Sequence, residues 1–227
     1  MQDATLGGTG AGEANTVSGN IGVGVTVYGS ASLVQGNLIG TNPAGSATVP
    51  NAGGGIGTFA SGGTLGGPLP GAGTLVSGNG GNGILVSGGS GLTIQGNWIG
   101  LDASGTLDFG NAQSGVRFES GSSLHQLIDN IISGNANGVR IEGASNTIVL
   151  TGNRIGTNAA GSAALGNSGI GVEILDAPLI QIGAGGQGNL ISGNGGRGVR
   201  ISGSNSTGVL VRGNFIGTDS TGSFDVG

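Results

Sequence analysis

Two short motifs recur along the chain at nearly the same interval, and this repetition limits the possible folds more than any other feature. The tripeptide Ser-Gly-Asn begins at Ser18, Ser77, Ser133 and Ser192, at spacings of 59, 56 and 59 residues. The motif Gly-Asn-x-Ile-Gly has its Asn at Asn37, Asn97, Asn153 and Asn214, at spacings of 60, 56 and 61. Regular internal repetition is typical of solenoids, in which successive repeats stack into one continuous core. The sequence therefore predicts four repeats of ~59 residues, the first and last incomplete.

Each repeat divides into two unequal parts, because a Gly followed by Val or Ile opens a short alternating run in each. The runs begin at Val25, Ile56, Ile84, Val116, Val139, Val172 and Val199. Alternation of this kind indicates a β-strand, and a second strand precedes the Asn of the second motif, as in Leu92–Ile99. No segment has a helical apolar stripe, and the 57 Gly residues disfavour helices. We therefore predict an all-β parallel β-helix of about seven to eight coils, forming one domain over residues 1–227.

Stacked coils align equivalent residues in columns, which assigns most of the unusual composition to structure. Columns of β-branched residues through Val25 and Val27 are the predicted core. Two columns consist almost entirely of Asn. The first contains Asn15, Asn37, Asn97, Asn130, Asn153, Asn189 and Asn214, interrupted by Thr74, and the second contains Asn20, Asn51, Asn79, Asn111, Asn135, Asn167 and Asn194. Since stacked amides bond to one another and Asn tolerates tight bends, we interpret both as hydrogen-bonded ladders rather than a binding groove.

The charge and Cys content excludes several classes of function. All six basic residues are Arg, and the net charge of -5 leaves no basic surface for nucleic acid or an anionic membrane. No apolar run approaches the ~20 residues that a membrane-spanning helix needs. The absence of Cys excludes disulfides and thiolate metal sites. With a single His and no acidic cluster, the sequence predicts no metal and no cofactor.

The repeats resemble those of very large bacterial surface or secreted proteins. The strings that carry the resemblance are Gly36–Asn42, Gly188–Asn194 and Gly213–Asp219, and the similarity covers essentially the whole chain. The resemblance implies a right-handed parallel β-helix, the fold of the pectate lyases, in a bacterial protein that is secreted or displayed on the cell surface. It says little about activity, since one fold serves many functions.

One outward-facing group of charged residues is the main candidate site. Six of the chain's seventeen charges fall on the alternating strands: Arg117, Glu119, Arg140, Glu142, Glu173 and Arg200. The resemblance to pectate lyases implies that this strand borders a substrate groove. Glu119 and Glu142 are expected about one strand spacing apart, near the ~5 Å separation of retaining glycosidases. The alternative, which we favour, is a ladder of ion pairs with Glu173 between Arg140 and Arg200.

A second candidate is a possible apolar strip after the first Asn column, composed of Leu38, Trp98, Ile131, Leu190 and Phe215. If exposed, such a strip would suit sugar stacking or protein contact. We expect instead that the segments following it, such as Thr41–Gly45 and Leu101–Gly105, fold over it. Asx turns, rather than calcium sites, are the favoured interpretation of those segments, because one Asp or Asn in each is too few for calcium.

The sequence therefore favours a non-catalytic structural segment of an extracellular or cell-surface protein, such as a spacer, stalk or adhesin-type element. The alternative is a protein that binds or cleaves a polysaccharide, a lyase or glycoside hydrolase, using the Arg117–Arg200 face. The chain ends lack polar caps, so we expect a segment of a longer array or copies that stack end to end. The first residues, Met1–Ala4, lack the basic and apolar regions of a signal peptide.

Overall fold

The structure is a computed structural model that describes residues 4–119, 121–143 and 146–226. The positions Met1–Asp3 and Gly227, on which the expectations about the chain ends partly rest, lie outside these ranges. Within them the chain forms three parallel sheets of eight, eight and seven strands. The chain passes in turn through the three sheets, which we call A, B and C, and then begins the next coil one strand spacing further along. The prediction of an all-β, right-handed parallel β-helix of about seven to eight coils is confirmed.

Every strand pairs with its equivalents in the neighbouring coils, so the strand order within a sheet advances by three. Sheet A contains β1 (Thr5–Gly7), β4 (Leu33–Gln35), β7 (Thr64–Gly66), β10 (Thr93–Gln95), β13 (Gln126–Ile128), β16 (Val149–Thr151), β19 (Gln181–Ile182) and β22 (Leu210–Val211). Sheet B contains β2 (Thr16–Val17), β5 (Leu38–Ile39), β8 (Leu75–Val76), β11 (Trp98–Ile99), β14 (Ile131–Ile132), β17 (Arg154–Ile155), β20 (Leu190–Ile191) and β23 (Phe215–Ile216). Sheet C contains β3 (Val23–Val27), β6 (Gly54–Thr58), β9 (Ile84–Ser87), β12 (Ser114–Glu119), β15 (Asn137–Glu142), β18 (Val172–Leu175) and β21 (Val199–Ser202).

The predicted second strand of each coil is in fact two strands separated by a corner. The segment from Leu92 to Ile99 contains β10 and β11, with Gly96 and Asn97 between them. Gly96 has a φ of 68°, a left-handed conformation that turns the chain sharply and that Gly adopts without steric cost. Three strands per coil follow from this corner, which gives the stack a three-sided cross-section.

The interior is built from aligned aliphatic columns, as the alternation of residues predicts. In sheet C, Val116, Val139 and Val172 stand in register and are fully buried. Phe118, Ile141 and Ile174 form the next column and are equally buried. Burial of each such side chain contributes about 1.5–3 kcal/mol before the entropy of ordering is subtracted. The outward-facing residues between these columns form the candidate site.

Both Asn columns are hydrogen-bonded ladders along the axis of the stack. In the first, the Nδ2 and backbone N–H of Asn97 both donate to Oδ1 of Asn130, each at 3.0 Å. In the second, the same groups of Asn135 donate to Oδ1 of Asn167, also at 3.0 Å each. Asn97, Asn130, Asn135 and Asn167 are buried, and each amide also donates to a backbone carbonyl at the corner. The ladders satisfy polar groups that would otherwise be costly to bury.

Candidate functional site

The six charged residues predicted from the sequence lie together on the outer surface of sheet C, which we call the charged face. Arg117, Arg140, Glu173 and Arg200 occupy one row in consecutive coils. Glu119 and Glu142 occupy the next row, two positions further along their strands. Parallel pairing in register brings them together, since side chains at equivalent positions of adjacent strands stand on the same face.

Ion pairs connect all six residues. Arg117 pairs with Glu119 at 3.3 Å and also with Glu142, and Arg140 pairs with Glu142 at 2.7 Å. Glu173 forms ion pairs with Arg140 at 3.5 Å and with Arg200 at 3.2 Å. The arrangement is the ion-pair ladder that we favoured from the sequence, with Glu173 between two Arg residues.

The ion pairs set the protonation state of Glu142. Partial burial of its carboxyl by itself raises the pKa, but hydrogen bonds and charge attraction from Arg117 and Arg140 outweigh that effect, and the pKa lies below the usual value. A general acid in a glycosidase needs the opposite shift, a pKa raised toward neutrality. Glu142 is therefore held ionised, which suits a structural carboxylate or a hydrogen-bond acceptor for a ligand better than an acid catalyst.

A shallow depression of about 460 Å³ lies beside the second row of the charged face. Its lining includes Ser87, Glu119, Glu142, Leu175 and Asp176. The sequence analysis did not single out Asp176, which directly follows β18 and has a left-handed φ of 52°. Its position after the last alternating residue of the strand is the signal that could have identified it.

An aromatic pair continues the same row toward the first coils and was also missed. Tyr28 and Phe59 follow the inward residues Val27 and Thr58, so alternation places them outward, in line with Ser87 of the third coil. Their rings stack at a centroid distance of 5.0 Å and an interplanar angle of 7°. Both are exposed, at 63% and 46%. The two residue types alone do not indicate a site, but extending the register of the columns to Tyr28 and Phe59 would have identified the pair.

The proposed apolar strip lies on the outside of sheet B and is largely covered. Leu38, Trp98, Ile131, Leu190 and Phe215 do share one row, which also contains Leu75 and Arg154. Ile131 and Leu190 are buried, Leu38 and Trp98 are half-buried, and Phe215 is 46% exposed. The loops that follow the strip fold over it as expected: a Cβ on Gly105 would lie 3.0 Å from the Trp98 ring, and one on Gly161 would lie 2.9 Å from Leu190.

An opening lies over the strip beside the long loop between β7 and β8, residues 67–74. The lining of this cavity of about 580 Å³ includes Leu38, Leu75 and Trp98 of the strip and Pro68 and Leu69 of the loop. Leu69 is 63% exposed. The same loop replaces an Asn of the first ladder with Thr74.

The covering loops are organised by Asx turns, as predicted. Asp102 accepts hydrogen bonds from the backbone N–H groups of Ser104, Thr106 and Leu107 and from the Ser104 hydroxyl. Burial by itself raises the pKa of Asp102, but these hydrogen bonds outweigh it and lower the pKa below the usual value. Asn42 and Asn158 make comparable backbone contacts in the equivalent loops.

Among the described residues, no group of three His, Cys, Asp or Glu side chains is placed to hold a metal ion. The part of the chain that the structure describes also has no helix long and apolar enough to cross a bilayer. No family model, no curated protein and no solved structure matches the chain.

Proposed function

We propose that this chain is a rigid, non-catalytic structural segment of an extracellular or cell-surface protein, serving as a spacer, stalk or adhesin-type element. The observation that carries the proposal is the continuous hydrogen bonding along the axis. The second Asn ladder runs without interruption from Asn20 to Asn194, beside three sheets whose ladders run in the same direction. Each coil extends such a rod by about 4.8 Å, so its length is set by the number of coils.

Surface location and stiffness test this proposal separately. Antibodies against the folded chain should label intact cells of the source organism, and labelling only after permeabilisation would contradict an extracellular role. In single-molecule pulling, we expect extension in discrete steps that correspond to one or two coils, because each repeat contacts only its neighbours. A smooth extension at low force would contradict the rigid spacer.

The second candidate function, favoured by the aromatic pair, is binding of a polysaccharide along sheet C. Exposed stacked rings at Tyr28 and Phe59 offer an apolar platform for a sugar ring, and Glu119 and Glu142 offer acceptors for hydroxyl groups in the same row. The guanidinium groups of Arg117, Arg140 and Arg200 are already paired. A neutral glycan therefore suits this face better than a polyuronate.

A glycan array, followed by an activity screen on any hits, distinguishes the two functions. Binding through sheet C should be abolished in Phe59→Ala and retained in the control Phe224→Ala, which removes an exposed aromatic ring from a covering loop near β23. Cleavage of a bound glycan that is lost in Glu142→Gln would replace the structural proposal with an enzymatic one. If no glycan binds, or if Phe59→Ala binds normally, the second candidate is wrong.

A further inference from the structure

His125, the only His of the chain, lies in the hydrophobic interior instead of on a surface. It directly precedes β13, and the register of sheet A places it in the same inward column as Leu92, Ile148 and Ile180. All four side chains are no more than 2% exposed. An ionisable ring thus occupies a position that the neighbouring coils fill with aliphatic side chains.

The contacts of the ring define its protonation state. Its Nδ1 accepts a hydrogen bond from the backbone N–H of Leu92 at 3.0 Å, so the ring is neutral and carries its proton on Nε2. One face of the ring stacks on Phe118 at a centroid distance of 5.7 Å. Protonation of Nδ1 would turn its acceptor into a donor facing the Leu92 N–H, and would bury a charge in an apolar interior.

The surroundings offer little to stabilise that charge. Burial lowers the pKa of His125, and the nearby Gly88 carbonyl opposes this effect only in part. Four charged residues of the adjoining strands lie on the outer face of sheet C, away from the inward Phe118: Arg117, Glu119, Arg140 and Glu142. A fifth, Asp129, directly follows β13. Burial, and not a neighbouring charge, therefore sets the direction of the pKa shift of His125.

The corner that leads into His125 is held between the neighbouring coils, because the Ser123 N–H donates to the Gly89 carbonyl and the Leu124 N–H donates to the Asn146 carbonyl. Leu124 has a left-handed φ of 55°, which is unfavourable for a residue with a Cβ, and its side chain is 58% exposed. The segment from Gly121 to Leu124 joins β12, which carries Arg117 and Glu119, to His125 at the start of β13. Opening here would release one end of the strand that bears part of the charged face.

We infer that His125 is an acid-sensitive switch: its protonation breaks the hydrogen bond from Leu92, opens the Gly121–Leu124 corner and loosens the Arg117–Glu119 end of the charged face. The sign follows from linkage, because the unfolded chain binds the proton more tightly than the folded chain. Stability is fully present above the usual pKa of 6.5 and is lost as the pH falls from there toward the lower folded pKa. In that interval the unfolding constant rises by up to about tenfold per pH unit. The inference holds whether or not the face binds a ligand.

Urea unfolding from pH 8 to pH 5 tests the switch on the whole chain. We expect the unfolding free energy of wild type to fall below pH 6.5. The variant His125→Leu copies the residue of the preceding coil, and its unfolding free energy should stay constant over that range. His125→Gln provides a second non-titrating variant if the Leu variant folds poorly. Carboxylates titrate at lower pH, and the chain has no Cys and no other His, so the interval reports on His125.

Two further readouts locate the effect. The ring protons of the single His, followed by NMR, should titrate below 6.5 in the folded protein. Hydrogen exchange, corrected for its intrinsic pH dependence, should increase on acidification in residues 121–128 before it does so in residues 172–182, in wild type only. A ring that titrates at 6.5 or above, or a wild-type stability that is constant between pH 7 and pH 5, would overturn the inference.

Discussion

Thr74 interrupts the first Asn ladder, and its surroundings show what an Asn rung contributes. The backbone N–H of Asn37 reaches the Thr74 hydroxyl at 3.4 Å, and the Thr74 N–H donates to Asn97 at 3.0 Å, but no side-chain amide links the coils there. Elsewhere the amide of each Asn adds a second bond to the next rung, as from Asn97 to Asn130 at 3.0 Å. Asn189 forms normal rungs although a long loop precedes it too, so the backbone tolerates Asn at this position.

Thr74→Asn should therefore stabilise the protein by about 1 kcal/mol, since it restores inter-coil hydrogen bonds between buried groups. The measurement is the free energy of unfolding in urea. Thr74→Val, which has a similar volume but no amide, is the control and should not exceed wild type. A Thr74→Asn variant no more stable than wild type would mean that the amide does not complete the ladder.

Asp102 gives a prediction about acid stability at the residue scale. Because its folded pKa lies below the usual 3.8, its contribution to stability is present above that pH and is lost as the pH falls toward the folded pKa. Asp102→Asn should change stability at pH 7 by less than about 1 kcal/mol, since Asn occupies the equivalent position in two other loops. Its unfolding free energy should also vary less than that of wild type between pH 5 and pH 2. If the unfolding free energies of the two proteins fall in parallel between pH 5 and pH 2, Asp102 is not the source of this acid dependence.

At the scale of the elements, the ion pairs of the charged face differ in burial and therefore in their contribution to the free energy of unfolding. The side chain of Glu173 is 9% exposed and lies between Arg140 and Arg200, whereas the side chain of Glu119 is 32% exposed and pairs with Arg117. Glu173→Gln leaves two guanidinium groups beside a neutral amide and should cost about 1–3 kcal/mol. Glu119→Gln should cost less than about 1 kcal/mol, because exposed pairs contribute little.

Chemical denaturation of both variants at low and at 1 M salt measures this difference. Salt should reduce the cost of Glu119→Gln more than that of Glu173→Gln, since buried pairs are screened less. Equal costs at low salt would show that burial does not rank these ion pairs.

Elements with a period of two were predictable from the sequence, and those defined by corners were not. The columns through Val116 and Phe118, both ladders and the charged row follow from alternation and spacing alone. The corner at Gly96 and Asn97 was missed because the apolar alternation continues across it, so two strands read as one. The depression beside Asp176 depends on loop conformation, which no periodicity encodes. His125 could be placed only once the register assigned it to an inward column.

For the whole molecule, stacking makes stability a sum of contacts between neighbouring coils. The last described strands have only one neighbouring coil, and accordingly Leu210, Val211, Phe215 and Ile216 are 40–46% exposed. Equivalent residues in the central coils, such as Leu150 and Ile155, are fully buried. Coils at the two ends of the described chain should therefore exchange amide hydrogens before the central ones.

The same modularity predicts that one complete two-coil repeat can be removed without loss of the fold. Deletion of residues 98–153 joins Asn97 to Arg154, which occupies the position equivalent to Trp98 two coils later. Inward and outward faces are conserved across the junction, so we expect cooperative unfolding with an unchanged β-type circular dichroism spectrum. The denaturant dependence should fall roughly in proportion to the residues removed, since it scales with the surface exposed on unfolding.

Deletion of residues 98–154 is the matched control, because one further residue brings the inward Ile155 to an outward position and reverses every following side chain of the strand. That variant should aggregate or unfold without cooperativity, while the 56-residue deletion remains monomeric and folded. If both deletions behave alike, the register of the columns is not what determines the fold. If only the in-register deletion folds, the register of the columns determines the fold, and the length of the rod follows from the number of coils that keep it.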